Sequence, residues 1–198
     1  MSDGPVAGAS PVGAAPAGAA PAGATVAGLT IVDEDREAPL LAATAADGQR
    51  RVHVYRVTAP VVVLGRGSKP ELELELDACR ADGVPLQRRR GGGCAVVLDP
   101  GNLVVTVTAL LPGIGGHREV FAALAAWVIA GLEAIGLPGV HREGTSDLAL
   151  GDRKVGGACL YRSRGLLHYG TTLLVAPRVE LIERYLRHPP REPDYRRG

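Results

Sequence analysis

RRRGGGCAVVLDPGNLVVTVTALL, residues 88–111, sets three arginines against three glycines and then runs into two stretches rich in β-branched residues. CAVVL (94–98) and NLVVTVTALL (102–111) each suit a pleated, half-buried strand, and Asp99-Pro100-Gly101 between them is a strong turn signal. The spacing predicts a β-hairpin, with the basic and glycine-rich residues at the loop leading into it. Gly91, Gly92 and Gly93 can take positive φ and leave their N–H groups unshielded. Arg88, Arg89 and Arg90 add planar donor forks suited to phosphate or carboxylate. The stretch therefore suggests an anion held jointly by main chain and side chains, against the plainer alternative of a turn beside a solvated basic run. No Gly-Lys-Ser/Thr follows, which makes a P-loop reading weak.

Working outward, VVVLG (61–65) reads as a fully apolar strand and RVHVYRV (51–57) as an alternating one. Further upstream, Asp33 is placed to cap a helix that Gly48 ends. ELELELDACRADG (71–83) has the Glu and Leu content of a helix stopped at Gly83. Downstream, HREVFAALAAWVIAGLEAIG (117–136) predicts a helix burying Val120, Leu124, Trp127, Val128, Leu132 and Ile135. Two strands around Gly151-Asp152 span 147–162, another spans 166–175, and a helix spans 179–187 before Pro189 and Pro190. Strands in adjacent pairs with interspersed helices indicate an α+β domain with mixed or largely antiparallel sheets flanked by helices.

Composition bounds the function. The 198 residues suffice for one domain with a real core, and 22 basic against 21 acidic side chains leave a net charge of +1, so no global field favours nucleic acid or an anionic membrane. Cys79, Cys94 and Cys159 show neither a CxxC pair nor zinc-finger spacing, which argues for a reducing, cytoplasmic setting without a structural metal. The longest apolar run, 121–135, is interrupted by Gly131 and Glu133 and falls short of a bilayer span. Residues 1–28 are built almost wholly from Ala, Pro, Gly, Val and Ser and are expected to be a disordered tail, leaving 29–198 as the folded domain.

Lys154 stands out, because Lys69 is the only other lysine in a chain that otherwise uses arginine. Its compact ammonium can move between a phosphate and a carbonyl oxygen, and Gly156 and Gly157 open the backbone beside it.

RRRGGGCAVVLDPGN resembles the lipoate-binding signature of lipoate-protein ligases: paired Arg, a Ser/Thr-Gly-Gly-Gly turn, Ala-Val, then His-Asp-x-Gly-Asn. VVVLGRGSKPE (61–71), SDLALGDRKVGGA (146–158) and LHYGTTLLV (167–175) resemble the family's remaining blocks in the family's order. The resemblance covers roughly Leu29 to the C-terminus and implies the catalytic fold shared by biotin/lipoate ligases and octanoyltransferases. It implies ATP-dependent activation of lipoate to an acyl-adenylate, followed by transfer to a lysine of a lipoyl-domain acceptor protein, with Mg2+ carried on the ATP phosphates. On this resemblance Lys154 matches the lysine that contacts the acyl carbonyl and the phosphate. Arg88, Arg89 and Gly91 to Gly93 match the signature that lines the acyl and adenylate channel, and Asp99 and Asn102 match its closing turn. Asp147 matches the Asp of the Asn-Asp-Leu element, Gly156 and Gly157 follow the lysine, and His168, Gly170 and Thr171 match the His-His-Gly-Thr strand.

The chain departs from the pattern. Aligned on Asp99 to Asn102, Leu98 takes the place of the family's His, Gly91 of its Ser/Thr and Cys94 of its third Gly, while Gly156 and Ala158 stand for serines and Ser146 for Asn. The sequence ends without room for the small accessory domain of larger ligases, whose work is then expected to come from another chain or to be absent. Rival readings are an octanoyltransferase or amidotransferase working without ATP, and a non-catalytic acyl or nucleotide binder. Cysteine-type transferases carry their nucleophile just before the Asp-Leu element, and GVHREGTSDL has none. The remaining histidines, His53, His117, His141 and His188, read as structural or solvated.

Overall fold

The computed structural model describes residues 23–111 and 116–188. Its strands are β1 (Ala24–Val26), β2 (Leu29–Asp33), β3 (Arg51–Tyr55), β4 (Val61–Leu64), β5 (Leu86–Arg88), β6 (Val96–Leu98), β7 (Asn102–Leu110), β8 (Val140–Glu143), β9 (Asp147–Leu150), β10 (Arg153–Ser163) and β11 (Leu166–Leu174). Its helices are α1 (Ala38–Asp47), α2 (Pro70–Glu73), α3 (Leu76–Asp82), α4 (His117–Ala134) and α5 (Val179–Tyr185). They form two sheets, a mixed five-stranded one in the order β1-β2-β5-β4-β6 and a wholly antiparallel six-stranded one in the order β3-β7-β11-β10-β9-β8. The α+β expectation is met.

Every residue of β4 is buried, because the strand has an apolar layer on both sides. Val62 and Leu64 face a core made with Ile31, Leu74, Cys79, Leu86, Leu181 and Tyr185, which closes the small sheet beneath α3 and α5. Val61 and Val63 face the other way and meet Leu98, Val104 and Tyr55, so this cluster joins the inner faces of the two sheets. The outer face of the large sheet is covered by α4, through Ala125, Val128, Ile129 and Leu132 against Val105, Val140, Leu148, Val155 and Leu173.

Five expectations are corrected. The hairpin does not form: β6 pairs with β4, whereas β7 lies between β3 and β11, so Asp99-Pro100-Gly101 carries the chain from one sheet to the other. Turn chemistry fixes the reversal but not the strand's partner. Asp33 does not cap a helix, since Leu29–Asp33 is claimed by parallel pairing with β5, and α1 begins at Ala38 with Pro39 in its first turn. Gly48 does end it in the left-handed region, at φ 73°. The single helix over 71–83 is split at the fully buried, extended Leu74, which makes a bridge to Leu186. On α4 the predicted face holds at Val120, Leu124, Val128 and Leu132, with Ala125 and Ile129 beside it, but Trp127 is 48% exposed and Ile135, just past the helix, 72%. Finally, β1 lies inside the expected tail, pairing with β2. Residues 1–22, like Pro189 and Pro190, lie outside the described residues.

Candidate functional site

The large sheet presents a lattice of rows on its inner face, because antiparallel partners share a face. Tyr55, Val104, Thr172, Gly157 and Asp147 form one row. His53, Thr106, Gly170 and Cys159 form the next, and Arg51, Thr108, His168 and Tyr161 the third. Parity alone would send Lys154 to the opposite face, with Gly156 and Ala158. A β-bulge intervenes: the register slips between Lys154 and Gly156, so Lys154 pairs with Ala149 while Gly156 pairs with Leu148. The extra residue, Val155, goes to the α4 core, and Lys154 turns to the inner face. There its Nζ lies 2.9 Å from Asp147 Oδ1, a carboxylate whose side chain is 9% exposed. A Cβ on Gly157 would stand 3.1 Å from that Nζ, so glycine leaves the ammonium its seat.

Above this face the chain from Arg89 to Ala95 forms the glycine-rich loop between β5 and β6. Gly91 sits directly on β10, where a Cβ would fall 2.8 Å from Cys159 Sγ. Gly93 takes φ 95°, and a Cβ on Gly65 would strike the Gly93 carbonyl oxygen, so both positions need glycine. Gly92 and Gly93 are exposed, and neither N–H donates to a main-chain carbonyl among the described residues.

The arginines of the opening stretch have a different local task from the one their forks suggest. Arg88 Nη1 donates to the carbonyl oxygens of Gly65 at 2.8 Å and Ser68 at 3.0 Å. Arg89 donates to Val63, Gly92 and Cys94 at 3.1, 2.7 and 2.9 Å. Both guanidinium groups thus brace the loops that meet over the sheet, while Arg90 is exposed and lies 6.0 Å over the Tyr161 ring. A second brace is absent from the sequence reading. Buried Glu73 accepts from Ser68 Oγ at 2.9 Å and from Ala95 N at 2.6 Å, and Ser68 Oγ also receives the Gly65 N–H. Nothing in the local pattern marks one Glu of an alternating Glu-Leu run as buried.

The other expected site residues divide by position. Asp99 and Asn102 build the crossover between sheets: Asp99 Oδ1 accepts from Gly101 N at 2.5 Å, Oδ2 from Arg178 N at 2.8 Å, and Asn102 Oδ1 from Asp99 N at 2.8 Å. Gly156 and Thr171 lie on the outer face, away from Lys154, where a Cβ on Gly156 would meet Thr172 O at 2.7 Å. His168 and Gly170 lie on the inner face, two rows and one row from Gly157. The structure therefore brings together Lys154, Asp147, Gly157, Gly170, His168 and the loop of Gly91 to Gly93.

Charges converge beside the loop. Burial lowers the His168 imidazole below its ordinary 6.5, with Glu37 opposing that shift. Burial raises the Cys159 thiol, despite the Arg89 guanidinium nearby, and burial with the neighbouring Glu37 raises the Glu34 carboxyl. Glu37 itself is 4% exposed and accepts from His53 Nδ1 at 3.3 Å if that nitrogen is protonated. Among the described residues no group of three His, Cys, Asp or Glu side chains is arranged to hold a metal ion, and no helix is long and apolar enough to cross a membrane.

Residues 35–197 match the family model for the lipoyl protein ligase A/B catalytic domain. A protein of Aeropyrum pernix assigned as a lipoate-protein ligase A is 31% identical over 159 residues, 75% of this chain and 59% of that protein. Lipoate-protein ligase A of Psychrobacter cryohalolentis is 33% identical over 129 residues, 65% of this chain and 36% of that protein. The chain thus spans between about a third and three-fifths of the curated relatives' lengths. Among solved structures, the ligase of an archaeal lipoylation system from Thermoplasma acidophilum, a bipartite lipoate protein ligase described with its lipoyl domain, superposes with a TM-score of 0.68 at 22% identity, covering 85% of this chain and 67% of that one. A lipoate-protein ligase A bound with ATP gives 0.65 at 22% identity, covering 81% and 70%. These superpositions show the catalytic fold expected from the sequence.

Proposed function

Because the chain belongs to the lipoyl protein ligase A/B catalytic-domain family, we propose that it activates lipoate, or a closely related acyl acid, with ATP and transfers the acyl group to a lysine of a lipoyl domain. The observation that carries this reading is the bulge that turns Lys154 onto the face beneath the glycine-rich loop, where Asp147 fixes it. In the first half reaction the acid's carboxylate attacks the α-phosphorus of ATP, forming the acyl-adenylate and releasing pyrophosphate. In the second the acceptor lysine's amine attacks the acyl carbonyl carbon, and AMP leaves with the bonding electron pair. Negative charge gathers on the carbonyl oxygen in the second step and on phosphate oxygens in the first. A preplaced ammonium stabilises both without reorganising.

The unshielded N–H groups of Gly92 and Gly93 supply further donors to the phosphate. Arg88 and Arg89 serve that cradle by holding the loops in shape. Asp147 positions Lys154. Mg2+ would enter on the ATP phosphates and offset their charge, as no group of three His, Cys, Asp or Glu side chains among the described residues is arranged to hold it. An ATP-independent route through a cysteine thioester fits less well, because a thiol raised by burial and packed under Gly91 is a poor nucleophile. The bipartite neighbour, described with its lipoyl domain, favours a lipoyl-domain protein as the acceptor.

Pyrophosphate release tests the reading. Incubation with ATP and lipoate is expected to yield pyrophosphate and acyl-AMP, while octanoyl transfer from a carrier protein without ATP would contradict it.

A further inference from the structure

The solvent side of α4 is apolar where a surface helix ordinarily carries its charges. From Val120 to Leu132 the run VFAALAAWVIAGL has no ionisable side chain. Ala125, Val128, Ile129 and Leu132 pack on the large sheet, which accounts for one side of that run only. On the other side Ala123, Ala126, Trp127, Ala130, Gly131 and Ala134 are exposed, the indole being by far the largest group among them. The apolar surface continues past the helix end, where Ile135 and Leu137 are still more exposed than Trp127. Leu150 is exposed as well and lies on the α4 side of the sheet, opposite Val140, and a Cβ on Gly139 would stand 3.5 Å from its Cδ1. A monomeric protein rarely leaves a contiguous apolar surface larger than roughly a few hundred Å² open to water.

Charge selects what covers it. The ionisable residues of α4 sit only at its ends, His117, Arg118 and Glu119 in the first turn and Glu133 in the last, which has no basic residue. A second α4 running antiparallel and centred on Ala126 sets Arg118 of each copy opposite Glu133 of the other, because these positions lie 8 and 7 residues from the centre. It also lays the positive end of each helix dipole beside the negative end of its neighbour. A parallel pair would instead stack like charges at both ends. Small side chains at the crossing let the helix axes approach to about 8 Å, with Trp127 of each copy lying across Ala123 and Ala126 of the other. The pair is back to back: Lys154 turns to the inner face, on the far side of the sheet from α4, so both sites stay open.

We propose that this protein self-associates as a twofold dimer through the exposed face of α4, with Trp127 at the centre of the interface and Arg118 paired with Glu133 across it. Twofold symmetry makes each copy contribute the same patch, so the charge pair occurs twice. Size sets the strength. The 18 residues of α4 span about 27 Å, and a strip about 10 Å wide along them gives roughly 300 Å² per copy, against about 800 Å² in a standard interface. The exposed Ile135 and Leu137 must add to the contact, and the association is reversible, with a Kd on the order of micromolar.

The test is sedimentation equilibrium of the full chain, whose mass should rise with concentration from 20.5 kDa toward twice that value. Trp127 is the only tryptophan, so its emission should shift to the blue over the same concentration range. Arg118→Glu should weaken the dimer about tenfold by setting like charges opposite each other twice, and adding Glu133→Arg to the same chain should restore it. Both exchanges suit the dipole of their own helix, so a folding defect does not explain the loss. Trp127→Glu should leave a monomer with an unchanged urea midpoint. A wild-type chain that stays at 20.5 kDa up to about 100 µM overturns the proposal without needing any variant to fold, and does so equally if the face then proves to hold a different protein. A dimer whose tryptophan emission does not move, or one that Arg118→Glu leaves as tight as before, overturns it too.

Discussion

Lys154 reaches its place by a local irregularity, and its substitution is the sharpest residue-scale prediction. Lys154→Ala should lower acyl-adenylate formation about 10²–10³-fold, the usual loss on removing one preplaced donor, with the melting temperature little changed because the side chain is partly exposed. Single-turnover kinetics and thermal melting check both halves. Glu73 behaves oppositely: Glu73→Leu should destabilise the fold by about 1–3 kcal/mol for each buried donor it strands, read by urea unfolding. His168 gives a pH signature. Its folded-state value is depressed, so the native state binds fewer protons than the unfolded chain around pH 6. The associated stability is full above about 6.5 and is lost as pH falls through the folded-state value. His168→Leu should therefore lose less stability than wild type between pH 7.5 and 5.5, measured as the shift in urea midpoint. Lys154 was legible in the sequence from its isolation among arginines and from its resemblance. Glu37 and Glu73 were not, because a carboxylate's burial depends on partners from distant segments.

At the scale of elements, the β9–β10 bulge and the glycine-rich loop make separable predictions. Inserting one residue between Leu148 and Ala149, opposite Val155, should restore regular pairing, turn Lys154 to the α4 face and abolish activation; retained activity in the folded insertion would show that the bulge does not aim the lysine. Gly91→Ala should lift the loop, since its methyl would collide with Cys159, and Cys159→Gly in the same chain should recover activity because it removes both Sγ and Cβ from the contact. Element types were largely readable, as in the alternation of β3, the apolar run of β4 and the stop at Gly48. Partners were not. Asp99-Pro100-Gly101 carries every mark of a hairpin turn, yet the Asp99 carboxylate accepts from Gly101 N and Arg178 N, the Asn102 amide oxygen accepts from Asp99 N, and the strand passes into the second sheet. The helix α4 is apolar around most of its circumference, so periodicity located Val128 and Leu132 on the sheet side but could not keep Trp127 out of the stripe.

At the scale of the molecule, the site exists because two sheets share one apolar seam. Val61 and Val63 of the small sheet and Val104 of the large one hold the layers together, and the glycine-rich loop leaves the small sheet and returns to it, resting on β10 of the large one at Gly91. Four ordered sequence blocks revealed the family, and they supply the glycine-rich loop, the turn braced against it and the sheet face beneath it. The two-sheet topology stayed hidden, since β5 and β8 are short and carry no periodic signal of their own. The measurement that bears most directly on the central claim is the intact mass of a lipoyl domain after incubation with this protein, lipoate and ATP. Wild type should add one lipoyl group only when ATP is present, and Lys154→Ala should add it far more slowly. Modification that needs no ATP, or a fully active Lys154→Ala, would contradict the role given to the lysine beneath the glycine-rich loop.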